Sequence, residues 1–216
     1  YYRKITQLKG PDEAGRYQVA VTLAKDGRWV DAYRQMKELA TFDPGSLPVA
    51  HLWIADAAMR DKLGLSDEQN LQILQRHLDH LHERFPQDVN IAYMRARMFR
   101  RLGNDELSEK ELRRFEDADM AIQVQLASIK ASKGNIDEAL QDIQRVDRHY
   151  NEYRKNGRLG LRDYLVWSSA HEIFRDFGRA ETLLLEAKQV VAEKKDVDAA
   201  LLELYNRWFV VVQNSS

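Results

Sequence analysis

The chain has 216 residues, 33 of them Lys or Arg and 34 Asp or Glu, for a net charge of −1. That balance argues against a general binder of nucleic acid or anionic membrane, which carries a large basic excess. Cysteine is absent, which removes disulfides, thiolate nucleophiles and Cys-ligated zinc together, and no apolar run approaches the ~20 residues of a membrane span.

Ten glycines and four prolines are few for this length, and helices are favoured over a turn-rich β fold. Tyr1-Tyr2-Arg3-Lys4 opens the chain without an initiator methionine, which reads as a processed or trimmed chain. Two tyrosines before two cations also resemble the inner edge of a transmembrane anchor placed upstream. Residues 1–12 are set apart as an N-terminal extension.

The first predicted hairpin runs from Glu13 to Pro44. It carries Val19, Ala20 and Leu23, then Gly27, Trp29, Ala32 and Met36, and closes on Phe42-Asp43-Pro44. The second, Val49–Pro86, has a stripe Leu71, Leu74, Leu78, Leu81 at helical spacing and about four extra residues around Leu65–Asn70. The third, Val89–Asp117, keeps Ala96, Phe99 and Gly103, has Ser108 at its second small position and lacks a closing proline. In the fourth, Leu126-Ala127 precedes Lys133-Gly134-Asn135-Ile136-Asp137-Glu138-Ala139-Leu140. Its stripe is Ile136, Ala139, Leu140, Ile143, Val146, and it runs on to the connection Asn156-Gly157-Arg158-Leu159-Gly160. The fifth, Asp163–Lys194, has Leu183, Leu184, Ala187, Val190 and Val191 as its stripe and a shortened turn after Gly178. An eleventh helix, Val197–Val212, carries Ala199, Leu202, Tyr205, Phe209 and Val212 on one stripe. Asp163 and Asp196 suit helix N-caps.

Gly27, Gly64, Gly103, Gly134 and Gly178 are predicted to end the first helix of each hairpin, 37, 39, 31 and 44 residues apart. Glycine suits that place because helices commonly end in a left-handed residue. Within a hairpin, Ala20 is expected to face Met36, and Ala127 to face Ile143, because two helices approach closely only where a small side chain admits a large one.

These residues resemble the tetratricopeptide repeat, a helix–turn–helix unit of about 34 residues. Glu13–Pro44 and the segment around Gly134 carry the resemblance best, and the other three units depart from it at the positions named. The resemblance implies an all-α, right-handed solenoid of about five hairpins over residues 13–195. Residues 196–216 would form a capping or self-association helix and tail. It also implies a concave face built mostly by the first helix of each hairpin.

No phosphate loop, dinucleotide fingerprint, HExxH or nucleophile elbow is present. The expectation is a non-enzymatic protein without cofactor or metal. His77 and His80 share a helix face and could ligate one metal, but with His82 they read better as solvated surface histidines. His171 reads as a partly buried hairpin contact, and Gly157-Arg158-Leu159-Gly160 as a flexible connection. Asp105-Glu106 and Asp137-Glu138 fall in first turns, where the helix dipole favours negative charge. Asn214-Ser215-Ser216 has the form of a glycosylation acceptor.

The binding expectation centres on Tyr93, Arg97, Arg100 and Arg101, which share one helix face, with Tyr17 and Trp53 at comparable places in the preceding hairpins. Guanidiniums pair with carboxylates and phosphates, and aromatic rings anchor apolar groups. The expected partner is an extended, acidic peptide or protein in a concave groove. Chaperone-binding members of the resembled family use a Lys and Asn set; the asparagines are missing here. Alternatives are a docking domain of a larger membrane-anchored or enzymatic protein, and an RNA-binding repeat using Arg97, Arg100, Arg101, Arg113 and Arg114. Self-association through 197–212 is a further expectation, since exposed apolar patches mark contacts. Replacing Arg97 and Arg101 with Glu is expected to abolish capture without changing the melting temperature. Cytoplasm and periplasm are equally compatible with these features.

Overall fold

The computed structural model describes residues 11–157 and 159–214. Tyr1–Lys4, Arg158 of the fourth connection, and Ser215 and Ser216 lie outside the described residues. The described residues form eleven α-helices and no strand. They are α1 Pro11–Lys25, α2 Trp29–Leu39, α3 Pro48–Met59, α4 Asp67–Arg84, α5 Val89–Arg101, α6 Asp105–Arg113, α7 Met120–Ser132, α8 Ile136–Lys155, α9 Leu161–Glu172, α10 Phe177–Val190 and α11 Lys194–Gln213. The strongest packing joins adjacent helices in pairs, α1 with α2 through α9 with α10, and α11 lies on α10.

One backbone device closes every pair. After α1, Gly27 takes φ +78°, and the next amide, Arg28 N–H, donates back to the Leu23 carbonyl at 2.8 Å. The same link runs from Lys62 to Ala57, Asn104 to Phe99, Asn135 to Lys130 and Asp176 to His171, at 2.8–3.1 Å. It satisfies a helix-end carbonyl that would otherwise be orphaned. The left-handed residue is Gly103 in the third pair and Gly134 in the fourth, but Asp61 (φ 55°) in the second and Arg175 (φ 59°) in the fifth. The glycines singled out in those two pairs stand three residues later. Gly178 lies inside α10. Gly64 has φ +70° within the connection to α4, where a Cβ would come 3.0 Å from Val30. The expected turn glycine is therefore corrected in two of the five pairs: an Asp and an Arg carry the strained conformation instead.

Counting from these left-handed residues exposes the spacing of the helix crossings. Seven residues earlier stand Ala20, Ile54, Ala96, Ala127 and Ser168, all at most 2% exposed. Five residues later stand Ala32, Ser108, Ala139 and Ala180, all fully buried; in the second pair Asn70, nine residues later, takes that place. The four-residue difference is the insertion expected near Leu65–Asn70. Ser168 shows the crossing directly, since its hydroxyl donates to the Ala180 carbonyl at 3.3 Å.

The chain divides into two compact units, residues 1–114 and 115–216. The division falls between α6 and α7, inside the stretch 13–195 read as one array. Each unit has its own core. The first is built on Ala20, Met36, Ala50, Ile54, Leu63, Leu74, Leu78 and Met98. The second contains Ala127, Ala139, Ile143, Tyr150, Trp167, Ala180, Leu183, Leu184 and Leu204. Ala20 and Met36 thus share one core, and Ala127 and Ile143 the other.

Three expectations about faces and caps change. In α8 the buried face is Ala139, Asp142, Ile143, Val146 and Tyr150, while Ile136 and Leu140 are exposed. Asp142 enters that face because the Lys130 ammonium neutralises it at 2.7 Å. In α11 the inner stripe is Val197, Leu201 and Leu204, continued by half-buried Trp208 and Val211. Trp208 stacks on Phe177 with centroids 5.7 Å apart. Leu202, Tyr205, Phe209 and Val212, the stripe read from sequence, point outward. The helix has two apolar stripes, and packing on α10 selects the other one. Finally, α9 and α11 begin before the Asp residues read as their caps. Asp163 is the third residue of α9 and accepts from Gly160 N–H at 2.9 Å. Asp196 lies in the first turn of α11.

Candidate functional site

The arginines of α5 are positioned by a well-capped helix. The Asp88 carboxylate accepts from the Asn90 and Ile91 amides at 2.9 and 3.2 Å and starts it. At its C-terminal end Arg101 turns back onto the preceding pair. Its guanidinium donates to the Asp61 carboxylate at 2.7 Å and to the Met59 carbonyl at 3.1 Å. Arg101 therefore ties down the turn whose left-handed residue is Asp61. Arg100 lies 3.6 Å from Asp105 at the start of α6. Arg97 is exposed, with no hydrogen bond or ion pair among the described residues. Tyr93 is half-buried. Of the three guanidiniums read as a binding face, one is held in water and two have internal carboxylates.

The two other aromatic residues read as anchors are packing groups. Tyr17 and Trp53 are both half-buried against the first core. Trp53 stacks on Trp29 with centroids 5.8 Å apart and 24° between planes. Arg95, overlooked in the sequence, is the most deeply placed cation of α5. It is held between Asp79 of α4 and Glu111 of α6 and lies over the Phe99 ring at 5.4 Å.

Two of the three histidines read as solvated, His77 and His80, instead join His51 in a partly buried cluster of the first unit. His51 of α3 and His77 of α4 are 0% and 5% exposed, and their Nδ1 atoms lie 2.7 Å apart. His51 Nε2 lies 2.9 Å from the Thr41 carbonyl. A carbonyl only accepts, so His51 carries its proton on Nε2 and leaves Nδ1 bare. His77 must then donate from its own Nδ1, and its Nε2 is bare in turn. His80 stacks on His51 at 4.6 Å, and Phe42 contacts all three rings. Arg84 fastens the surrounding loop, donating to Ser46 Oγ at 2.6 Å and to the Pro44 carbonyl at 3.3 Å. Burial pushes His51 down to about 4 and His77 down to about 3, so both rings are neutral. Sequence reasoning missed the cluster because only His77 and His80 are neighbours on one helix. His51 arrives from α3, and Phe42 from the loop. Among the described residues no group of three His, Asp or Glu is arranged to hold a metal ion.

In the second unit, Asp147 of α8 accepts from Trp167 Nε1 at 2.6 Å and bonds His171 Nε2 at 3.0 Å. Burial alone would raise this carboxyl, but the two hydrogen bonds win and hold it below the usual carboxylate range. His171 is thus a partly buried contact between α8 of the fourth pair and α9 of the fifth, rather than a contact within one hairpin. Arg154 and Arg179 lie over the fully buried Trp167 at 5.6 and 5.8 Å. Tyr164 donates to Glu186 at 2.9 Å, and its hydroxyl is pushed up to about 12, by burial first and then by that carboxylate. These bonds link α8 to α9 and α9 to α10. No protein-family model, curated protein or solved structure is significantly similar to the chain.

Proposed function

We propose that this chain is a non-enzymatic interaction scaffold, a solenoid of five tetratricopeptide-like hairpins that holds an extended acidic peptide along the first helices of its first unit. The observation that carries the reading is the recurrence, in all five pairs, of one turn closure with a buried residue seven positions before it, and in four of the five another buried residue five positions after it. Stacked hairpins of this kind present a preformed surface, so little ordering is lost on association. The acidic character of the partner follows from Arg97, the solvated cation of α5 one turn from Tyr93. RNA is the poorer occupant. Arg100, Arg101, Arg113 and Arg114 have partners in Asp105, Asp61, Glu109 and the Pro86 carbonyl.

The test uses a fluorescent eight-residue peptide of Asp and Glu with one Phe and one Leu, followed by anisotropy. R97E should weaken its binding at least tenfold and leave the melting temperature unchanged. R101E should lower the melting temperature, because it sets a second anion beside Asp61. Equal affinity of R97E and the parent chain would remove the proposal.

A further inference from the structure

A cavity of about 340 Å³ opens in the first unit between α2, the loop before α3, and α4. Its wall holds Tyr33 and Lys37 from α2, Phe42 from the loop, and Ile73, Arg76 and His77 from α4. The volume falls in the range of sites that take small organic ligands. Lys37 and Arg76 have no ion pair among the described residues, and the Tyr33 hydroxyl has no hydrogen bond there. Their contacts are with ring faces: Arg76 lies 4.0 Å over Phe42, and Lys37 lies 5.6 Å over Tyr33. Three donors of one electrostatic sense, two of them cationic, therefore line one recess floored by an aromatic ring and an isoleucine. The neutral His77 adds no charge, and its bare Nε2 is the nitrogen not engaged with His51.

We infer that this cavity binds a small organic acid: a carboxylate held by Lys37, Arg76 and the Tyr33 hydroxyl, on a flat apolar body that rests against Phe42 and Ile73. A guanidinium and an ammonium lining one cavity suit a carboxylate through charge-assisted hydrogen bonds. The apolar wall gains from covering a ring, as such pockets generally do. The site is separate from Arg97 and does not depend on the peptide reading.

The probe is 3-phenylpropanoate, titrated into the ¹⁵N-labelled full chain, with the backbone amides of Ala40, Thr41 and Phe42 as reporters. Saturable shifts at those amides in the low-millimolar range are expected. The neutral isostere 3-phenylpropanamide should bind at least tenfold more weakly. K37Q/R76Q should lose at least tenfold in affinity for the acid while keeping its melting temperature. R97E should bind the acid as the parent chain does, which separates failure here from failure of the peptide proposal. Absence of saturable shifts, equal binding of acid and amide, or an unchanged affinity in K37Q/R76Q would each overturn the inference. Displacement of the probe by the acidic peptide would assign the cavity to a peptide surface and overturn the small-acid reading.

Discussion

Two buried polar groups set the behaviour of single residues. His51 and His77 share one buried hydrogen bond that needs a bare Nδ1 on one of the two rings, so it is lost once both are protonated. In the unfolded chain each takes a proton near pH 6.5, whereas in the folded chain they resist protonation until about 4 and about 3. The unfolded state therefore binds more protons below pH 6.5. Stability is full above that value and is lost as pH falls through it toward 4 and 3, by up to about 1.4 kcal/mol per pH unit for each ring. Urea melts at about pH 7 and about pH 5 should show that loss, and H51F/H77L should flatten it over this window. Ser108 is the second case. Its hydroxyl is fully buried without a hydrogen-bond partner, at a position where three of the other pairs have alanine. S108A should raise stability by about 1 kcal/mol in urea denaturation, because a desolvated hydroxyl with no partner costs that much or more.

At the level of helices and turns, the five closures differ in cost. Gly27, Gly103 and Gly134 enter the left-handed region freely, whereas Arg175 carries a Cβ into it. Gly178, three residues later, spends a flexible residue inside α10 with open space around its Cα. R175G should stabilise the fifth pair by about 1 kcal/mol, and G178A by a similar amount, measured as shifts in the urea midpoint. The crossing positions set the opposite limit. Ala139 is fully buried where α7 and α8 approach, so A139L should cost about 1–3 kcal/mol by overpacking.

For the molecule as a whole, the two cores belong to different units and have no residue in common. Chains of residues 1–114 and 115–216 should each give a helical spectrum and a cooperative thermal transition of their own. A139L should lower only the transition of the second, and S108A should raise only that of the first. A fragment that stays unfolded would show that its core needs the other unit.

Much of this architecture is legible in residue order alone. Helical period, hairpin count, the Leu65–Asn70 insertion and the small residues at the crossings all depend on neighbours a few positions apart, and local sequence encodes such relations directly. Which stripe of α11 turns inward was not legible, because Val197, Leu201, Leu204 and Leu202, Tyr205, Phe209 are both apolar series at helical spacing. Only the surface of α10, with Phe177 waiting for Trp208, distinguishes them. The same holds for the sites. Arg100 and Arg101 look free until α6 and the Asp61 turn come into reach. The histidine cluster exists only once α3, α4 and the Phe42 loop converge. Charge pairing and desolvation act through space over a few ångströms, and the chain order does not record which side chains end up that close.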